Sequence, residues 1–195
     1  PGRHNVMNAL AAATVAMRYG MAPETVARIL ASQHTISPHR MALSTVNREG
    51  TSFTLIDDSF NANPDSMKAG LNGLKAWNSN DGKEPFRVAL LGAMLELGAD
   101  ETALHTSIGT YADELGIDAI IAVGSAQDQH LDALAQALAD GARQSQSASV
   151  DCVHDIDAAE QLVIDLARNH PDAVVLLKGS HASGLSALAE RWAKN

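Results

Sequence analysis

A chain of 195 residues that is 46% hydrophobic and 19% charged can bury one well-formed domain plus a small appendage, and is too apolar for a disordered segment. Its formal net charge of −9, without any Lys/Arg cluster to offset it, argues against nucleic acid or an anionic membrane surface as partner. The single cysteine, Cys152, can close no internal disulfide, and no Cys/His spacing reads as a zinc site.

No stretch approaches the roughly 20 apolar residues of a membrane span, and the first residues lack the layout of a signal peptide. A cytoplasmic protein without membrane insertion is expected, with a monomer as the default state. The chain opens on Pro1-Gly2-Arg3 with no initiator Met, which suggests a piece of something longer.

In chain order, residues 5–19 are Ala-rich with strong helix propensity, and Gly20 is a plausible stop. A second helix is predicted over 23–32, with Pro23 in its first turn and Val26, Ile29 and Leu30 on one face. Residues 33–41 contain Pro38 and lack a helical period, which suits a linker. The expected division is a helical segment over 1–37 and an α/β domain over 38–195. Strands over 41–47 and 51–56 flank Arg48-Glu49-Gly50 and read as a hairpin, its first strand antiparallel to the rest.

A regular alternation follows: helix 64–77, strand 87–91, helix 100–115, strand 119–123, helix 129–139, strand 149–153, helix 156–169, strand 173–177 and a last helix over 183–194. The runs Val88-Ala89-Leu90-Leu91, Ile120-Ile121-Ala122-Val123 and Val174-Val175-Leu176-Leu177 are continuously apolar, as strands covered on both faces should be. The pattern predicts a Rossmann-like, mostly parallel sheet with helices on both faces, preceded by a short helical segment. Residues 141–149 read as a polar loop, and there is no internal repeat.

The densest polar stretch is Asp57-Asp58-Ser59-Phe60-Asn61-Ala62-Asn63-Pro64-Asp65-Ser66-Met67. It lies where a strand ends and a helix begins, which in open α/β sheets is where ligands bind. The competing reading is an Asx-rich turn in which Asn63 caps a helix opened by Pro64. Lys178-Gly179-Ser180, beyond another strand, can hold an anion or a peptide carboxylate, or can be a plain turn with a solvated lysine.

The polar stretch closely resembles the Asp-Asp-Ser-Tyr-Asn-Ala-Asn-Pro-x-Ser-Met segment of the Mur ligase family. Three further segments are similar in the right order: Pro1-Gly2-Arg3-His4-Asn5-Val6-Met7-Asn8-Ala9-Leu10-Ala11-Ala12, Leu91-Gly92-Ala93-Met94-Leu95-Glu96-Leu97-Gly98, and Leu176-Leu177-Lys178-Gly179-Ser180. Together they span nearly the whole chain. The resemblance implies the C-terminal domain of an ATP- and Mg²⁺-dependent ligase, with 1–37 as the end of a central ATPase domain. The Asn-Ala-Asn-Pro wording is similar to that of the branch that adds D-alanyl-D-alanine to UDP-N-acetylmuramoyl-tripeptide, through an acyl phosphate, in peptidoglycan precursor synthesis. The central and N-terminal domains of the same enzyme would be its partners.

Carried over residue by residue, the resemblance implies nucleotide contacts for Asn8, Arg40 and Asp58, and acceptor or substrate contacts for Asn61, Asn63, Lys178 and Ser180. Asp58 would accept from the ribose hydroxyls, an amide at Asn8 would face the adenine edge, and Asp57 would serve hydrogen bonding in the turn. The chain departs from the family pattern at Phe60 (Tyr), Ala93 (Asp) and His181 (Arg), the last losing a bidentate fork. Glu96 reads as a solvated helix-start residue and His105 as a surface histidine.

No Gly-x-x-x-x-Gly-Lys-Ser/Thr occurs in the sequence, so the phosphate and metal machinery of a P-loop enzyme is missing from this chain. The chain by itself is therefore expected to be inactive. Two other readings stay open: a Mur ligase with a different amino-acid acceptor, and a freestanding Rossmann-like binding or regulatory module without catalysis.

Overall fold

The computed structural model describes residues 3–32, 39–78, 84–144 and 148–194. It divides into two compact units, residues 1–38 and 39–195. The first holds helix α1 (Arg3–Arg18) and helix α2 (Pro23–Ala31). Pro23 opens α2, where its missing N–H costs nothing, and Val26 is its buried residue. The predicted boundary at residue 37 and most of the linker lie outside the described residues.

The second unit runs β1 (Ala42–Arg48), β2 (Thr51–Asp58), α3 (Pro64–Lys75), β3 (Arg87–Gly92), α4 (Glu101–Glu114), β4 (Ala119–Val123), α5 (Gln129–Ala142), β5 (Ser149–Val153), α6 (Ile156–Asn169), β6 (Val174–Lys178) and α7 (Leu185–Ala193). Its six-stranded sheet has the order β1-β2-β6-β3-β4-β5. Only β1 is antiparallel, paired to β2 from Ala42↔Asp57 to Arg48↔Thr51. Their turn has positive φ at both Glu49 and Gly50, the two-residue geometry that follows the twist of a hairpin.

Alternation along the buried strands divides the core in two. Ile56, Ala89, Leu91, Ile120, Ala122 and Leu176 face α3, α4 and α5, whose Met67, Leu71, Leu74, Ile108 and Leu138 cover them. Phe53, Leu55, Val88, Leu90, Ile121 and Leu177 face α6 and α7, covered by Val163, Leu188 and Trp192. Both faces are thus dry, as the continuous apolar runs predict.

Two boundaries differ from expectation for packing reasons. Helix α5 continues to Ala142, so Gly141 and Ala142 are helical and not part of a polar loop; residues 145–147 of that loop lie outside the described residues. Gly141 is held in the helix by its neighbour: a Cβ there would meet the Thr106 carbonyl of α4 at 2.0 Å, and one on Gly109 would meet the Leu138 carbonyl at 1.9 Å. The last helix starts at Leu185, because His181–Ser183 forms a separate 3₁₀ turn.

Candidate functional site

The parallel strands β2, β6, β3, β4 and β5 end on one rim, the side on which ligands gather in open α/β sheets. At this rim the successive carboxylates of β2 point to opposite faces of the sheet and meet different partners. Asp58 Oδ2 lies 2.9 Å from Lys178 Nζ, and its Oδ1 accepts from the Met41 N–H at 3.2 Å. Asp57 Oδ2 lies 2.8 Å from His39 Nδ1, while its Oδ1 accepts from the Ser59 N–H and hydroxyl at 3.2 and 2.6 Å.

Lys178 is neither solvated nor open to the rim. It is 2% exposed, and its ammonium also donates to the carbonyls of Asn61 at 2.8 Å and Asp58 at 3.3 Å. Three donors with three acceptors leave the charge paired and the polar loop pinned to β6. The lysine reaches this position past Gly70 of α3, where a Cβ would lie 2.9 Å from its Cδ. Both readings of Lys178 from the sequence, carboxylate clamp and solvated turn lysine, meet a side chain already filled by the chain's own oxygens.

After Asp58 the loop closes locally. Asn61 Oδ1 accepts from the Ala62 N–H at 2.8 Å. Asn63 caps α3 in a reciprocal box with Ser66, accepting its N–H at 2.8 Å while the Ser66 hydroxyl accepts the Asn63 N–H at 3.0 Å. The capping reading of Asn63 is thus seen, and Asn61 and Asn63 are both exposed at the rim.

Arg40 stacks its guanidinium over Phe60, 4.4 Å from the ring centroid. The Phe60 ring thus serves as a cation–π platform. The segment beneath Arg40 is fixed on both sides, since His39 and Met41 have φ of 57° and 52° and the Phe60 N–H donates to the His39 carbonyl at 3.1 Å. Asn8 is exposed on α1, in the first unit.

Between the ends of β3 and β6 the rim is closed. A Cβ on Gly92 would sit 2.3 Å from the Ser183 Cβ, and one on Gly179 would sit 2.6 Å from its hydroxyl and 3.0 Å from the Gly92 Cα. These glycines seat Ser183, whose hydroxyl donates to the Ser180 carbonyl at 2.6 Å, and do not form an open phosphate cradle. Ala93 is buried and accepts the Ser180 N–H at 3.0 Å. Ser180 Oγ is one of two buried side-chain polar atoms among the described residues without a hydrogen-bond partner, the other being Arg87 Nε. His181 is exposed, with Nδ1 3.1 Å from the Ser186 hydroxyl.

Two expectations are corrected. His105 is not a surface residue but fully buried: its Nδ1–H donates to the Glu101 carbonyl at 2.6 Å and its Nε2 accepts from the Met94 N–H at 2.8 Å. Burial holds its pKa below the ordinary value. Glu96 does not start a helix; it has φ of 62° in the loop after β3, and α4 begins only at Glu101. Burial, seconded by Asp132, pushes the Cys152 thiol up, which leaves it a poor nucleophile. The sequence reading missed His39, placed within the linker, because its partner Asp57 lies 18 residues away and no local periodicity joins them.

A family model described as "Mur ligase, glutamate ligase domain" matches residues 39–181. The chain belongs to the Mur ligase family. The matched span coincides with most of the α/β unit, including the Asp57–Asn63 loop and the Lys178–Ser180 strand end. The Mur ligase chain is 39% identical over 197 residues to the UDP-N-acetylmuramoyl-tripeptide--D-alanyl-D-alanine ligase of Mycobacterium tuberculosis H37Rv, covering 97% of this chain and 38% of that relative. It is 35% identical over 124 residues to the ligase of the same name in Escherichia coli K12, covering 64% of this chain and 25% of the relative.

A crystal structure of MurF from Acinetobacter baumannii superposes with a TM-score of 0.77 at 27% identity, over 100% of this chain and 38% of that one. The chain therefore spans well under half the length of these relatives. A folylpolyglutamate synthase from Mycobacterium tuberculosis has the same fold, with a TM-score of 0.61 at 22% identity over 100% of this chain and 41% of that one. Among the described residues no helix is long and apolar enough to cross a membrane.

Proposed function

We propose that this chain is the C-terminal part of an ATP-dependent ligase that adds D-alanyl-D-alanine to UDP-N-acetylmuramoyl-tripeptide in peptidoglycan precursor synthesis. The observation that carries the reading is the 39% identity over 97% of the chain with a ligase of that name. Residues 1–37 are then the end of the central ATPase domain and 38–195 the C-terminal ligase domain, working in the cytoplasm within one enzyme chain.

In this reading the chain's own groups bind and orient. Arg40, exposed and stacked on Phe60, presents a cation to nucleotide phosphate. Asp58 keeps acceptor capacity beyond Met41 and Lys178, because an ionised carboxylate offers about four lone-pair sites, and it takes the ribose hydroxyls. Asn8 supplies an amide toward the base. Asn61 and Asn63 offer side-chain amides to the acceptor. The Ser180 hydroxyl, buried and without a partner among the described residues, would reach the acceptor only once that end of the rim opens. Lys178 acts from beneath, holding Asp58 and the Asn61 carbonyl in place.

Support for ATP includes a neighbour of the same fold, MurF ligase from Thermotoga maritima, crystallised in complex with ADP. When bound, Mg²⁺ would neutralise phosphate charge during transfer to the tripeptide carboxylate. Among the described residues no group of three or more His, Cys, Asp or Glu side chains converges to hold a metal, so no step is assigned to a metal on this chain. Apart from Arg40, the phosphate and metal contacts belong, in this proposal, mainly to domains outside this chain, and closure of the domains completes the site.

The test is phosphate release from ATP and Mg²⁺ with the UDP-tripeptide, with and without D-alanyl-D-alanine, by this chain and by the full-length protein that contains it. Dipeptide-dependent release by the full-length protein and silence from the chain alone are expected. Release that instead depends on a single amino acid would move the enzyme to another acceptor. Silence from a folded full-length protein with every substrate present would favour a non-catalytic binding module.

A further inference from the structure

We infer that His39 is a positioning residue: through its bond to Asp57 it holds residues 39–41 against the Asp57–Phe60 loop, and so fixes Arg40 over Phe60 at the rim. The inference rests on the nucleotide role proposed for Arg40. His39 Nδ1 faces Asp57 Oδ2 at 2.8 Å, and Asp57 Oδ1 accepts from the Ser59 hydroxyl and N–H. The other ring nitrogen, Nε2, lies 3.6 Å from Glu190 Oε1 on α7. One imidazole thus spans the end of β2 and the last helix.

The backbone shows that this contact does more than fill space. His39 and Met41 both occupy the left-handed region at φ 57° and 52°, a conformation that non-glycine residues adopt at a cost and keep only where their surroundings over-determine it. Three bonds supply that determination: His39 Nδ1 to Asp57, the Phe60 N–H to the His39 carbonyl at 3.1 Å, and the Met41 N–H to Asp58 at 3.2 Å. Arg40, between the two strained residues, is left with its side chain pointing onto Phe60 at 4.4 Å. The adjacent aspartates both hold the segment that carries Arg40, Asp57 through His39 and Asp58 through the Met41 N–H, and Asp58 also pairs with Lys178.

Three substitutions separate the ring's hydrogen bond from the backbone strain. His39→Asn keeps a side-chain donor near the Nδ1 position and tolerates positive φ. His39→Gly relieves the strain but has no donor, and His39→Ala has neither. In this chain, NMR of the Arg40 δ-methylene and Nε–H protons reads the ring-current shift from Phe60, with Phe60→Leu defining the unstacked value and circular dichroism confirming the fold.

The shift is expected to persist in His39→Asn and to collapse toward the Phe60→Leu value in His39→Gly and His39→Ala. In the full-length protein the KM for ATP should rise about five- to tenfold in His39→Ala and His39→Gly, with kcat changed less and His39→Asn near wild type, as expected for a part-exposed cation–π contact. A stacked Arg40 in His39→Gly, or an unstacked one in a folded His39→Asn, overturns the inference. An ATP KM unmoved by Arg40→Ala would instead overturn the nucleotide role of Arg40, while the NMR result still decides whether His39 sets its position.

Discussion

Lys178 and His105 are polar side chains in dry surroundings; Lys178 is satisfied by Asp58 and Asn61, more than 100 residues away, and His105 by the Glu101 carbonyl on its own helix and the Met94 N–H after β3. Removing the Lys178 ammonium leaves Asp58, a half-buried carboxylate, without its cation. Lys178→Met should therefore destabilise the chain by about 3–5 kcal/mol, as breaking one side of a buried pair does. Asp58→Asn/Lys178→Met together should cost less than the sum of the single changes. Urea titrations of the four proteins test this, and strict additivity would show that the pair is not coupled.

For His105, both ring contacts need the neutral imidazole, since Nε2 must accept the Met94 N–H. Burial lowers its folded pKa, so above the ordinary value of about 6.5 the ring is neutral in folded and unfolded chains and adds no pH dependence. As pH falls below that value the unfolded chain takes up a proton that the folded chain resists, and stability is lost until the folded pKa is reached. His105→Gln should be less stable by about 1–3 kcal/mol near neutral pH. Its deficit relative to wild type should shrink as pH drops toward 5; a constant deficit across that window would remove His105 from the acid response.

Among the elements, α3 and the α4–α5 pair show opposite uses of local sequence. Asn63, Pro64 and Ser66 start α3 by themselves, through a cap and a pre-set φ, and Asn63→Ala should cost about 1 kcal/mol in urea denaturation. In α4 and α5 the sequence carries glycines that weaken an isolated helix by up to about 1 kcal/mol each. Their use is the close approach of the two helices, with carbonyls at 1.9 and 2.0 Å from where Cβ atoms would stand at Gly109 and Gly141. Gly109→Ala should raise helix propensity yet lower stability by about 1–3 kcal/mol. A stabilised Gly109→Ala would mean that the helices part at little cost.

At the scale of the whole molecule, both hydrophobic cores lie in residues 39–195, and Val26 is the one buried hydrophobic residue described before them. Helices of 16 and 9 residues are marginal in water without a packed face. Residues 39–195 expressed alone should accordingly unfold cooperatively, with a urea midpoint close to that of the full chain, whereas residues 1–38 alone should show little helix by circular dichroism. A 39–195 protein that fails to fold would show that the first segment is needed for the sheet and is no mere appendage.

The sequence alone determined what depends on short range. Apolar runs of four residues gave buried strands, Arg48-Glu49-Gly50 gave the hairpin, Asn63-Pro64 gave the start of α3, and the wording of the Asp57–Met67 loop gave the family. Each of these is written in neighbouring residues, where dihedral preference, alternation and capping operate. Tertiary structure decided the rest: that β6 inserts between β2 and β3, that Lys178 is buried under Asp58 and Asn61, that His105 is a core residue, and that His39 reaches Asp57. The strand order and the burial of Lys178 depend on which distant strand ends meet at the rim, and a buried charge or imidazole is stable only where polar partners replace the water it has lost. That requirement leaves no periodic trace in the chain around the residue itself.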